Sequence, residues 1–253
     1  MNKISKLVRK IEELEAEIAS EEKNILKSAT LQLQSKLDEN DEQTLAIQKK
    51  IIEKQEIDFK LFELDRLVSI RKLDTILEKL LGRVFTNSDS EHWLLFSAIS
   101  YSERKVSRTL EIGTADGITT AILASLFPKS EIVTIDLPMT DNEFKNSYNR
   151  KNVVKEIVKQ RNELINRFDN ITFIETNSVK LNNWADKSFD LIWVDGAHGY
   201  PVLPLDLHNA IRLIREKGVI IVDDVYTKLR KIDKMYRSTA AIDTLKLLKE
   251  NNL

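Results

Sequence analysis

Five short apolar runs, at residues 109–112, 131–137, 171–176, 189–194 and 218–222, constrain this chain more than any other feature. Each leads into a glycine, an acid or an amide, and helical stretches separate them. Strands that are apolar along their whole length are buried on both faces, so this βαβ rhythm predicts an α/β domain with a doubly wound, Rossmann-like parallel sheet. In such sheets ligands bind beyond the carboxyl ends of the strands. The candidate cofactor, metal and catalytic residues named below sit at or beside those ends.

The first 81 residues are different: they contain no proline and no glycine, and charges of both signs alternate with apolar residues at helical spacing. Ile4, Leu7, Ile11, Leu14 and Ile18 recur at intervals of three and four, as in the seam of a coiled coil. The apolar order lapses around Asp38 to Glu42 and resumes at Ile47, Ile51, Ile57, Leu61, Leu64 and Val68. One long helix with a hydrated stretch fits this pattern, and so does a helical hairpin that turns at Asn40, with Gln43 in the N3 position of the second helix. Residues 82–91 hold the first glycine and a cluster of turn formers, which divides the chain into a helical oligomerisation segment, 1–82, and a ligand-binding domain, 83–253.

Composition excludes several classes. There are 39 basic and 40 acidic residues, and neither part of the chain carries the basic excess of a nucleic-acid binder. The lack of cysteine excludes a disulfide scaffold, a zinc–cysteine site and thiol catalysis. No apolar run is long enough to span a membrane, and the first residues do not build a signal-peptide core, so a cytoplasmic location is expected.

The first strand opens into Glu111-Ile-Gly113-Thr114-Ala115-Asp-Gly117. Gly113 permits a tight turn and close approach of a ligand, and Gly117 opens the next helix. The spacing is not the G-x-G-x-x-G of a dinucleotide site, and Glu111, expected to aim its carboxylate into the pocket, favours a cation over a phosphate. Asp136, at the end of the second strand, is placed to accept both hydroxyls of a ribose. The acidic-x-Gly-x-x-x-Gly pattern resembles motif I of the class I methyltransferases that use S-adenosylmethionine. That resemblance implies S-adenosylmethionine as cofactor, bound by Glu111, Gly113, Thr114, Ala115, Gly117, Asp136 and Asp195, with Asn177 and Ser178 against its adenine.

Beyond the fourth and fifth strands lie V-D-G-A-H-G-Y, with Asp195 and His198, and I-I-V-D-D-V, with Asp223 and Asp224. Neighbouring strands are about 4.8 Å apart, so these acids are expected to converge. Carboxylates that close repel one another unless a cation or a proton relieves them. An oxygen-only set with no cysteine suits Mg²⁺, or Mn²⁺ or Ca²⁺. The plainer alternative stays open, with Asp195 capping a helix and Asp223–Asp224 forming a solvated turn. The two blocks are similar to those of a metal-dependent subgroup of these enzymes that methylates hydroxyls of sugars, macrolides and polysaccharides. This likeness extends over about residues 93–249 and implies Asp195, Asp223 and Asp224 as metal ligands and Asp195 or His198 as the proton acceptor.

The expectation is therefore a metal-assisted O-methyltransferase acting on a sugar, glycan or related small molecule, with no nucleic-acid partner and with homo-oligomers formed through the N-terminal helices. The alternative is a coiled-coil scaffold whose second domain binds a cofactor without catalysis. A metal-dependent hydrolase or hydroxylase would use the same acids but leaves Glu111 and Asp136 unexplained. Tyr200 and Trp184 are further pocket candidates, and Lys228, Arg230, Lys231, Lys234 and Arg237 form a basic run near its mouth. Two departures from the family pattern stand out: its last two strands are missing after the helix at 240–250, and the connection at 137–170 is long enough to form a lid.

Overall fold

The computed structural model describes residues 42–61, 63–86, 89–146, 153–227, 229 and 238–251. The Ile4–Ile18 seam, Asn40 and the basic positions 228, 230, 231, 234 and 237 lie outside the described residues. The chain divides into two compact units, residues 1–58 and 59–253. The described part of the first is helical, within α1 (Glu42–Leu61). Helix α2 (Arg66–Leu81) belongs to the second unit, although its sequence continues the helical pattern of the first. Between α1 and α2, Glu63 is left-handed at φ 55, and the Asp65 side chain accepts the Val68 N–H at 3.0 Å. That side-chain cap starts a new helix where the apolar spacing alone reads as one continuous element. Gly82, left-handed at φ 68, ends α2 by donating its N–H to the Glu78 carbonyl.

The remaining elements alternate as the sequence predicts: α3 (His92–Tyr101), β1 (Arg108–Ile112), α4 (Ile118–Leu126), β2 (Glu131–Asp136), α5 (Asn142–Asn146), α6 (Val154–Ile165), β3 (Ile171–Glu175), a 3₁₀ turn (Ser178–Asn183), β4 (Phe189–Val194), α7 (Val202–Leu213), β5 (Ile214–Val222) and α8 (Ala240–Glu250). All four strand pairs are parallel and the order is β3-β2-β1-β4-β5. The chain order reverses direction between β1 and β4, which is the switch point where doubly wound sheets bind ligands. β5 starts four residues earlier than its apolar run. Phe189 pairs with Ile214, but Leu191 pairs with Val219, and the extra residues bulge out around Lys217, which is left-handed at φ 66.

Alternation along the strands sorts their side chains onto two faces. Leu110, Ile112, Val133, Ile135, Ile192 and Val194 pack under α7 and α8 against Leu203, Leu207, Ala210, Leu213, Ala240 and Ala241. Ile132, Leu191, Trp193 and Ile221 pack on the opposite face with Leu73, Leu77, Phe96, Ile122 and Leu123 of α2, α3 and α4. The turn at 82–91 is ordered by Arg83, whose guanidinium holds both oxygens of Asp89 at 2.7 and 2.6 Å.

Candidate active site

The loop after β1 is held in shape by its glycines and by Asp136. Gly113 has φ +103, and a Cβ there would lie 2.1 Å from the carbonyl oxygen of Asp195, so only glycine fits. Its N–H donates to Ile135 O at 2.9 Å. Ala115 is left-handed at φ 46, and its N–H donates to Asp136 Oδ2 at 2.8 Å, while Asp136 Oδ1 accepts the Leu137 N–H at 2.7 Å. Asp136 therefore builds the loop as well as facing the cavity, and a carboxylate has more acceptor capacity than two amides use. Gly117, at φ +79, opens α4, with Arg161 packed directly against it.

A cavity of about 310 Å³ lies beyond these strand ends. Gly113, Ala115, Asp136, Asn177, Ser178 and Asp195 line it, together with Leu137, Phe144, Thr176 and Gly196. Six of the residues expected at the cofactor are thus brought together. Thr114 and Gly117 support the loop from behind. Asn177 is exposed, and its Oδ1 accepts the Val179 N–H at 2.9 Å as the cap of the 3₁₀ turn. Trp184 instead stacks on Phe189, and Tyr200 is exposed; neither lines the cavity.

Glu111 does not point into the cavity, which corrects the expectation for it. Strand alternation turns it to the opposite face of the sheet, where it is fully buried among Thr134, Trp193 and α4. Its Oε2 accepts from Thr120 Oγ1 at 2.5 Å and from Thr134 Oγ1 at 2.6 Å, and Thr134 Oγ1 in turn meets Thr114 Oγ1 at 2.6 Å. Since Thr134 donates to Glu111, the Thr114 hydroxyl is left to donate to Thr134. The acid thereby anchors the glycine loop through two hydroxyls. Burial pushes its carboxyl up to about 8 against the pull of those hydrogen bonds, and Oε1 has no partner.

The three acids expected to converge on a metal are divided between two interactions. Burial, and then the charge of Asp223, push the Asp195 carboxyl up to about 9, and the two side chains share a hydrogen bond. Asp224 is left-handed at φ 52 and is turned onto His198 Nδ1, while its Oδ1 accepts from Tyr226 Oη at 2.7 Å. Among the described residues no three His, Asp or Glu side chains come together as a metal-binding group. With Asp224 turned onto His198, these donors are not gathered around one point for a divalent ion among the described residues.

His198 Nε2 faces Asp195 Oδ1 at 3.7 Å, so the histidine bridges the ends of β4 and β5. Burial works against its charge, but the Asp224 carboxylate outweighs burial and holds the imidazole above its ordinary pKa. The Ser238 hydroxyl donates to the His198 carbonyl at 2.6 Å and fixes the backbone.

Three residues had no place in the sequence reading. His92, at the start of α3, lies over Trp193 with ring centroids 4.6 Å apart, and its Nδ1 is 3.5 Å from Asp223 Oδ1. Burial lowers its pKa, opposed by Asp223. No local pattern marks it, because α3 meets β5 only in the folded sheet. Arg161 is 2% exposed, stacks 4.2 Å from the Phe173 ring centroid, and sits 3.8 Å from Glu175. Its signal was a lone charge on the apolar face of α6, between Val154 and Leu164 at helical spacing. Asp206, fully buried on α7, gives the same kind of signal among Leu203, Leu207 and Ala210.

Residues 110–225 match the family model described as a methyltransferase domain. No curated protein matches the sequence. Among solved structures, TomG, an O-methyltransferase of Streptomyces achromogenes determined with S-adenosylmethionine, is 17% identical, with 77% of this chain and 82% of that one covered and a TM-score of 0.45. The S-adenosylhomocysteine-bound methyltransferase PaMTH1 of Podospora anserina is 19% identical, with 71% and 77% covered and a TM-score of 0.45. The N-methyltransferase NodS of Bradyrhizobium japonicum is 19% identical, with 62% and 78% covered and a TM-score of 0.42. Likeness at this level says nothing about the acceptor.

The five-stranded parallel sheet, the Gly113 turn and Asp136 at the switch point define a doubly wound α/β domain with its cavity beyond the strand ends. The match to the methyltransferase-domain model falls on these same elements, from β1 to just beyond β5.

Proposed function

We propose that the protein is an O-methyltransferase that methylates a hydroxyl of a sugar, glycan or related small molecule, with His198 as the base. The observation that carries this reading is the His198–Asp224 pair, whose other imidazole nitrogen faces Asp195 on the cavity wall. When bound, S-adenosylmethionine supplies a methyl group on a sulfonium, ready for in-line displacement. Asp136 is suited to its ribose, Gly113 and Ala115 to the amino-acid end, and Thr176 and Ser178 to the base.

An aliphatic hydroxyl is a weak nucleophile at neutral pH, so its proton must leave as the methyl arrives. With its Nδ1 proton donated to Asp224, neutral His198 carries a lone pair on Nε2 and takes that proton. The acceptor oxygen forms its bond to carbon as the carbon–sulfur bond breaks, and the products are a methyl ether, S-adenosylhomocysteine and protonated His198. Tyr200, exposed two residues beyond His198, offers an aromatic face to a sugar ring. The part of the N-terminal helical segment ahead of Phe59 is proposed to oligomerise the enzyme.

The test is an acceptor screen with sugars, glycans, catechols and amines that reads S-adenosylhomocysteine release. A hydroxylated acceptor is expected, with a rate that rises with pH through a pKa above 6.5, because His198 acts only when neutral. His198→Ala is expected to lower kcat by about 10²–10⁴ with cofactor binding intact. A chelator is expected to leave the rate unchanged; loss of activity restored by Mg²⁺ would show Asp224 leaving His198 for a metal. Transfer to amines alone overturns the hydroxyl assignment, and intact cofactor binding with no transfer to any acceptor favours the scaffold.

A further inference from the structure

Phe144, on the short helix α5, is buried outside both cores. Between Asp136 and Val153 it is the one buried side chain among the described residues, at 2% exposure, with half-buried or exposed residues on either side. It belongs to neither core cluster. Its place is the wall of the cavity, which it lines beside Glu143. The rest of that wall is made by strand ends, the turns directly behind them and the first residue of α7. Helix α5, set in the connection after β2, therefore supplies a part of the wall that the sheet does not.

The hydrogen bonds described for this helix are local. Asp141 N–H donates to Pro138 O at 2.8 Å and Lys145 N–H to Asp141 O at 3.2 Å, and the Asp141 carboxylate caps the helix by accepting the Glu143 N–H at 2.8 Å. None of these ties α5 to the sheet. Leu137, by contrast, is anchored by its N–H on Asp136 Oδ1 at 2.7 Å, so the fixed part of the chain ends there and Pro138 follows as the turning point. A segment bonded to itself and hinged at one anchored residue turns as a single body.

We propose that α5 is a lid over the cofactor and Phe144 its latch: the cofactor enters, and S-adenosylhomocysteine leaves, only when Phe144 swings out of the wall about Pro138. The latch is made by protein atoms, which leave Phe144 2% exposed, so it acts before the cofactor enters as well as after. Burying one phenylalanine favours the closed position about ten- to a hundredfold. Entry and exit are both slowed by that factor, while the affinity, which is the ratio of the two rates, stays the same. A side chain that only touches the ligand behaves differently, because losing it speeds release alone and weakens binding in proportion. The inference rests on S-adenosylmethionine being the cofactor.

The test is surface plasmon resonance of S-adenosylhomocysteine over the immobilised full chain, which reads the association rate, the release rate and their ratio. Phe144→Ala is expected to raise both rates about tenfold or more and to change Kd by less than about threefold. Phe144→Leu keeps most of the apolar side chain and is expected to stay within about threefold of wild type in both rates. Asp141 does not line the cavity, so Asp141→Ala reaches the ligand only through α5, and loss of the cap is expected to raise both rates about threefold. Faster release with unchanged association in Phe144→Ala would make Phe144 a ligand contact and overturn the lid. Rates unmoved in Asp141→Ala overturn it too, and that variant, at a half-buried position, decides the matter even where Phe144→Ala fails to fold. A folded wild type that binds no S-adenosylhomocysteine overturns the cofactor reading, whereas binding with unmoved rates overturns the lid alone.

Discussion

Glu111 separates the two things an acid in a glycine-loop motif can do, bind a ligand or hold the loop. Its carboxyl lies behind the loop, bonded to Thr120 and Thr134 with Oε1 unpartnered, and keeps its proton up to about pH 8, whereas an ordinary glutamate releases it near 4.5. Between those values the unfolded chain has lost the proton and the folded one has not, so this residue makes stability fall as pH rises from 4.5 to about 8. Glutamine reproduces the protonated form in shape. Glu111→Gln is therefore expected to change the melting temperature little at pH 5 and to stabilise by on the order of 3 kcal/mol at pH 8. Thermal melts at the two pH values decide it: equal effects at both would mean that Glu111 is ionised in the fold.

At the scale of elements, the glycines show which turns are built for a ligand. Gly113 and Gly82 both have positive φ, but a Cβ on Gly113 would collide with the Asp195 carbonyl, whereas Gly82 has nothing within 4 Å. Gly113→Ala is expected to abolish S-adenosylhomocysteine binding, because the β1 and β4 ends must separate, while Gly82→Ala should cost about 1 kcal/mol of stability and leave binding intact. Titration of both variants checks this, and binding retained in Gly113→Ala would place the cofactor elsewhere. The same scale explains what was legible in the sequence. Four of the five strands were readable to within a residue or two, because strands buried on both faces are apolar throughout; the early start of β5 was not, because its first turn bulges at Lys217. The loop and strand-end residues were readable because they follow those strands. The direction of Glu111 needed the register, in which it stands beside Thr134 and Trp193. The pairing of His92 with Asp223 needed contacts between elements far apart in the chain. The break at Glu63 was marked only by Asp65, one acid among many in a charged helix.

The unit 59–253 is built on a sheet with two separately filled faces, and both described core clusters and the cavity lie within it. Even Phe59, the first residue of that unit, is 4% exposed and packs in the core on the α2–α4 side. The heptad-like spacing of Ile4 to Ile18 is proposed to serve self-association. A chain that begins at Phe59 is expected to keep its fold and its cofactor affinity and to sediment as a smaller species than the full chain. Its unfolding should still respond to the cofactor by mass action: S-adenosylhomocysteine at a hundred times its Kd stabilises the folded state by about 2.7 kcal/mol, in the shortened chain as in the full one. Sedimentation and melting with and without ligand separate the possibilities. An unchanged mass would place the oligomer contact in the catalytic domain or remove it altogether, and a lost ligand response would mean that residues 1–58 complete the site.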